Sequence, residues 1–219
     1  HYWQVGTGDV LVAAVADGAG SADLAEVGAE IAAKSAVEAF CASGKVSGDD
    51  KGIRSSLSDA LKVAQKAVQT EAAMRQVELR QLATTLILVG ATSELVGAAQ
   101  VGDGIAVIQD RDANIIGVTT PDSGEHVNET TFLNSRRDLK HAQFAVWRGA
   151  LTHVAILSHE VHSHLARLGG LLVAFATLEN LLVHAVVCRD SVDDHIVGNH
   201  PMLVRVRQSV DSPFDQLDV

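Results

Sequence analysis

Val10 to Ala16 reads Val-Leu-Val-Ala-Ala-Val-Ala, an unbroken apolar run that predicts a strand buried on both faces. It ends in Asp17-Gly18-Ala19-Gly20-Ser21, a turn signal with two glycines. A helix is expected next, capped by Ser21 or Asp23, with Leu24, Val27 and Ile31 on one face, running to about Phe40. Ser43 to Gly52 is polar and reads as a loop. A second helix is expected from Ser55 or Ser56, because Leu57, Leu61, Ala64 and Val68 form an apolar stripe at helical spacing. After Gln81 the period shortens. Strands are predicted at Thr84–Val89, Leu95–Val101, Ile105–Gln109 and Ile115–Thr119. Gly102-Asp103-Gly104 and Asp110 to Asn114 read as hairpin turns between them. Gln143–Trp147 and His153–Leu157 read as a further antiparallel pair around Arg148-Gly149. Two helical stretches fill Glu160 to about Val187, broken near Gly169-Gly170, and Met202–Val206 is a closing strand. Another strand is expected within the first few residues. Strand, two helices, a run of antiparallel strands, helices and a strand make an α+β layout rather than an alternating one.

Composition narrows the class. The 219 residues suit one domain spanning 1–219, and 47% hydrophobic content supports a sizeable core. Aromatics are only 4%, so Val, Leu, Ile and Ala must build that core. The net charge of −10 argues against a nucleic-acid partner, which demands a basic face, and against adhesion to an anionic membrane. A phosphorylated substrate stays compatible if cations supply local positive charge. Cys41 and Cys188 sit beside apolar neighbours and read as buried free thiols, not as a disulfide framework. Leu171 to Val187 contains Glu179, Asn180 and His184, which favours a core helix over a membrane span. With no leader pattern visible, a cytoplasmic location is expected.

Three acidic positions stand out. Asp17 ends a buried strand, and the following Gly18 would let the backbone approach an ion and offer its carbonyl as a second oxygen. Alone, such an Asp-Gly reads first as a plain turn. Asp103 lies within Gly102-Asp103-Gly104. Asp193-Asp194 places two carboxylates side by side, which suits either a solvated acidic loop or a cation. His159 and His162 are three apart, so on a helix they share a face and could hold one ion, although a polar helix start explains them as well.

Taken in order, Ala16-Asp17-Gly18-Ala19-Gly20, Ala83-Thr84-Thr85-Leu86, Val101-Gly102-Asp103-Gly104, Leu157-Ser158 and Asp193-Asp194 resemble the motif set of the type 2C protein phosphatases. The match is strong from Val10 to about Gln109 and weakens afterwards. The resemblance implies a four-layer α/β/β/α sandwich with two central antiparallel sheets. It implies two ions, Mn2+ or Mg2+, and a metal-activated water that hydrolyses phosphoserine or phosphothreonine on proteins. By this resemblance Asp17 is the bridging metal carboxylate, Gly18 the carbonyl contact and Asp193 the late carboxylate, with Asp194 its neighbour. Asp103 matches a position linked to an accessory third ion. The departures are specific. The family's Ser-Asp-Gly is Ser158-His159-Glu160 here, so His159 replaces an expected carboxylate. The late motif lacks its Thr, and the family's early acidic pair and phosphate-binding Arg have no room before the first motif. These losses support an alternative, a catalytically impaired domain that binds or regulates a signalling partner.

Overall fold

The computed structural model describes residues 2–6, 11–43, 49–122, 130–135, 139–159 and 202–205. Strands β1 (Tyr2–Gly6), β2 (Leu11–Ala16), β3 (Leu86–Ala91), β4 (Leu95–Val101) and β7 (Gln143–Arg148) form a five-stranded antiparallel sheet in the order β1-β2-β3-β4-β7. Strands β5 (Ile105–Asp110), β6 (Ile115–Gly117), β8 (Leu151–Leu157) and β9 (Met202–Arg205) form a second antiparallel sheet in the order β6-β5-β8-β9. Helices α1 (Ala25–Ser43) and α2 (Asp50–Arg75) cover the first sheet.

The unbroken apolar runs follow from this layering. Val12, Ala14 and Ala16 of β2 point to the helices together with Leu86, Leu88, Leu95, Ala99 and Val101. Ala13 and Val15 point the other way and meet Ala106, Ile108, Val154 and Ile156 of the second sheet. A strand with covered faces on both sides has no solvated position to alternate with. Val107 and Ala155, on the far face of the second sheet, are buried as well. The helices expected between Glu160 and Val187 lie outside the described residues. The α+β class and the paired sheets are as the pattern and the resemblance predict.

Helix α1 buries Ala29, Ala32, Ala33 and Ala36, a stripe of small side chains that lets its backbone come close to its neighbours. Gly28 continues that stripe, and a methyl there would run into the Leu82 carbonyl. Leu82 ends a 3-10 turn, Leu79–Leu82, which leads into β3. Phe40 closes the stripe, fully buried, with its ring over Gly90 of β3.

Four local readings are corrected. Helix α2 begins at Asp50, not at Ser55, because the Asp49 carboxylate accepts from the Gly52 N–H at 2.9 Å and caps it. Gly52 then sits in the first turn, whose N–H groups lack intrahelical partners anyway. Gly102-Asp103-Gly104 is no hairpin turn, since β4 and β5 lie in different sheets. Likewise β7 and β8 do not pair with each other; β7 joins β4 and β8 joins β5. Cys41 is exposed on α1, one residue past the buried Phe40; Cys188 lies outside the described residues. The Asp110–Asn114 hairpin is present, with Ala113 left-handed at φ 63. Its Asp110 carboxyl is held below the usual carboxylate range, first by the hydrogen bond from the Asn114 side chain. No described helix is long and apolar enough to cross a membrane.

Candidate metal centre

The end of β2 is fastened to the start of β3. The Thr85 N–H donates to the Asp17 carbonyl at 2.9 Å, and the Asp17 N–H donates back to the Thr85 hydroxyl at 3.1 Å. The Thr84 hydroxyl also donates to the Asp17 carbonyl, at 3.1 Å. Thr84 is fully buried and Thr85 nearly so, which makes these bonds worth more than exposed ones. Asp17 itself is half-buried at the edge of the sheet.

One residue on, Gly18 bridges Thr84. The flanking bonds, Thr85 N–H to Asp17 and Ala19 N–H to the Ala83 carbonyl at 2.9 Å, make this a non-hydrogen-bonded pair. The Gly18 carbonyl is therefore turned away from β3. A Cβ on Gly18 would stand 2.6 Å from the Ala25 carbonyl oxygen and 2.7 Å from the Ala25 Cβ. Only glycine lets the strand end fit beneath the first turn of α1.

The next strand brings in Asp103. Continued past the strand ends, the β2–β3 and β3–β4 registers line up Asp17, Thr85 and Gly102, as the Asp17–Thr85 bond and the closeness of Gly102 to the Thr85 side chain bear out. The Gly102 backbone thus lies two strand spacings from that of Asp17, about 10 Å. Gly102 has φ +115, and a Cβ there would lie 2.6 Å from Thr85 Cγ2. Gly102→Ala is expected to cost about 1–3 kcal/mol, combining left-handed strain with that collision. Urea unfolding of the two proteins measures it. An unchanged midpoint would show that the turn does not need glycine.

From Gly102 the chain crosses to the second sheet. Asp103, at the crossing, accepts from the Thr130 hydroxyl at 2.9 Å. Its other described neighbour is His159, with Nδ1 3.3 Å from Asp103 Oδ2. His159 stands there because β8 pairs Leu157 with Ile105, carrying the residues after β8 up to the crossing. Ser158 is buried, and its hydroxyl has no hydrogen-bond partner among the described residues.

The sheet ends therefore gather Asp17, Gly18, Asp103 and His159 on one edge. Asp193, Asp194 and His162 lie outside the described residues. Among the described residues, no three His, Cys, Asp or Glu side chains converge as a metal-binding group. What is present fits a hard cation. The Asp17 carboxylate and the outward-turned Gly18 carbonyl are oxygen donors of the kind that Mn2+ and Mg2+ take. His159 adds a nitrogen, which suits Mn2+ better than Mg2+. The motif pattern pointed to all four. It gave no role to Thr85 or Thr130, whose partners are distant in sequence, nor to Gln100, which holds the Gly102 and Gly104 carbonyls. One signal was available: the alternation along β4 turns Val96, Ala98 and then Gln100 toward the second sheet, a polar residue at an apolar position.

Comparison with known proteins agrees with this architecture. No curated protein sequence matches the chain. Among solved structures, the serine/threonine phosphatase Stp1 from Staphylococcus aureus is similar at 13% identity and a TM-score of 0.52, covering 82% of this chain and 87% of that one. PppA, a regulatory component of the T6SS in Pseudomonas aeruginosa, is similar at 13% identity and a TM-score of 0.52, over 84% of this chain and 78% of that one. A C. elegans sex determining protein is similar at 11% identity and a TM-score of 0.60, over 82% of this chain but 52% of that one. At these identities the likeness speaks to the fold alone. The family model for protein phosphatase 2C matches residues 1–171, most of the chain. The chain belongs to the protein phosphatase 2C family.

Proposed function

We propose that this protein hydrolyses phosphoserine or phosphothreonine on protein substrates with the help of two divalent cations, Mn2+ or Mg2+. The observation that carries this reading is the shared edge of Asp17, the outward Gly18 carbonyl and Asp103, set by the Thr85 bonds and the strand register. Asp17 and the Gly18 carbonyl would hold the cations together with Asp193. Asp103 would serve an accessory third position, His159 would stand in for a metal carboxylate of the family, and Asp194 would lie beside Asp193. Bound there, the cations would lower the pKa of a water and screen the charge of the phosphate. The chain's own part is to fix the oxygen donors on rigid strand ends and to keep Asp17 half-exposed, where a protein-bound phosphate can reach it.

Release of phosphate from p-nitrophenyl phosphate and from a phosphothreonine peptide tests the proposal. Wild type is expected to turn over with Mn2+ and several-fold more slowly with Mg2+. His159→Asp is expected to narrow that gap, because a carboxylate restores an all-oxygen donor set. A wild type inert with every divalent ion at millimolar concentration would overturn the reading. Activity appearing only in His159→Asp would mark an impaired member of the family.

A further inference from the structure

We infer that Gln100 is a positioning residue that fixes Asp103 at the candidate centre. Gln100 is completely buried, in line with Val96 and Ala98 on the face of β4 that meets the second sheet. A buried side-chain amide must place both its N–H groups and its carbonyl. Gln100 Nε2 donates to the Gly102 carbonyl at 3.0 Å and to the Gly104 carbonyl at 2.7 Å. It also reaches the Thr120 carbonyl at 3.1 Å. Its own carbonyl accepts from the Thr119 hydroxyl. One amide therefore holds the residues on both sides of Asp103. Thr119 is itself anchored, since its hydroxyl accepts from the Ala106 N–H at 2.8 Å. The neighbouring Gln143 grips the same segment, donating to the Thr120 carbonyl at 2.7 Å.

Other bonds also reach the crossing, from the Asp122 N–H to the Gly102 carbonyl at 3.3 Å and from the Thr130 hydroxyl to Asp103 at 2.9 Å, and the rest of its fit is steric. A Cβ on Gly104 would stand 2.6 Å from both Ile87 Cδ1 and the Leu157 carbonyl oxygen. Glycines permit that close fit but do not aim it. The direction of Asp103 is set by the peptide units that Gln100 holds. Without that amide the Gly104 carbonyl would lose its buried donor and the Gly102 carbonyl would keep the longer bond from the Asp122 N–H at 3.3 Å, so the crossing would turn to find another partner. For metal ligands, such supporting partners are worth about 10–100-fold in affinity. The link to a cation rests on the proposed phosphatase reading; the hold on the crossing does not.

Two readouts keep them apart. The first is backbone 15N relaxation of the metal-free protein. In Gln100→Met, which keeps length and removes the amide, the Asp103 and Gly104 amides are expected to fall from order parameters near ~0.85 to below ~0.6, with β2 and β3 unchanged. Thr119→Val, which removes the hydroxyl that anchors Gln100 and accepts from the Ala106 N–H, is expected to do so more weakly, and it serves if Gln100→Met does not fold. The second is the Mn2+ concentration giving half-maximal hydrolysis. Gln100→Met and Asp103→Ala are each expected to raise it about tenfold, and the double variant no further. A crossing as ordered in both variants as in wild type would overturn the inference. So would additive effects in the double variant, because Gln100 would then act elsewhere than through Asp103. A loosened crossing in a protein with no cation-dependent hydrolysis would sustain the hold on Asp103 and sink the phosphatase reading instead.

Discussion

Asp17→Asn is expected to lower Mn2+-dependent phosphate release at least about a hundredfold while the protein remains folded. Supporting partners of metal ligands are worth about 10–100-fold, and a direct ligand carrying charge should exceed them. The substitution is mild in shape. The bonds that shape the turn run through the main chain of Asp17, to Thr84 and Thr85, and Asn keeps them. What is lost is one negative charge and an oxygen suited to a hard cation. Calorimetry with Mn2+ should show the same weakening without any substrate. Thermal unfolding in chelator should remain cooperative for both proteins, which separates loss of the cation from loss of the fold. Undiminished activity in Asp17→Asn would remove Asp17 from the centre, and with it the residue assignments built around that turn.

Phe40→Ala is expected to have the largest effect on stability, about 3–5 kcal/mol. Domains of this kind have only about 5–15 kcal/mol in total. Phe40 is the largest side chain of the buried stripe of α1, whose other members are mostly alanines. Small neighbours cannot swing into the space it leaves, so a cavity should persist. Opposite stands Gly90, where an added methyl would strike the ring. Gly90→Ala alone should therefore destabilise, whereas in the Phe40→Ala background the clash is gone and the methyl refills part of the void. The pair should show a favourable coupling of about 0.5–3 kcal/mol. Guanidinium unfolding of the two single variants and the double variant measures it. Strict additivity would mean that ring and glycine are not in contact.

Much of the fold is legible because its physical signal is local. The runs read as Leu95–Val101 and Ile105–Gln109 match their strands to within one residue. The partition of strands into sheets is not local. A three-residue link between two strands reads as a hairpin, yet Gly102 to Gly104 crosses between layers because inter-sheet packing outweighs the short connection. The start of α2 was hidden by Gly52, a poor helix residue that an Asp49 cap tolerates. The same division holds at the site. Asp17, Gly18 and Asp103 are marked by their glycine neighbours, which leave a pattern within a few residues. Thr85 acts on a residue 68 positions away and Thr130 on one 27 positions away, so the motif around Thr85 does not name its partner and nothing beside Thr130 marks it.

The crossing at Gly102 to Gly104 is a seam between the two sheets. Asp17 is anchored to the first sheet through Thr85, while His159 rides on the end of β8 in the second. Any slide of one layer over the other must appear at this seam as a change in spacing between the candidate ligands. A cation held there would thus register layer alignment. Substitutions deep between the sheets, at Val96 or Ile108, would be read out there as altered cation affinity, although neither residue lies at the edge where a cation would bind.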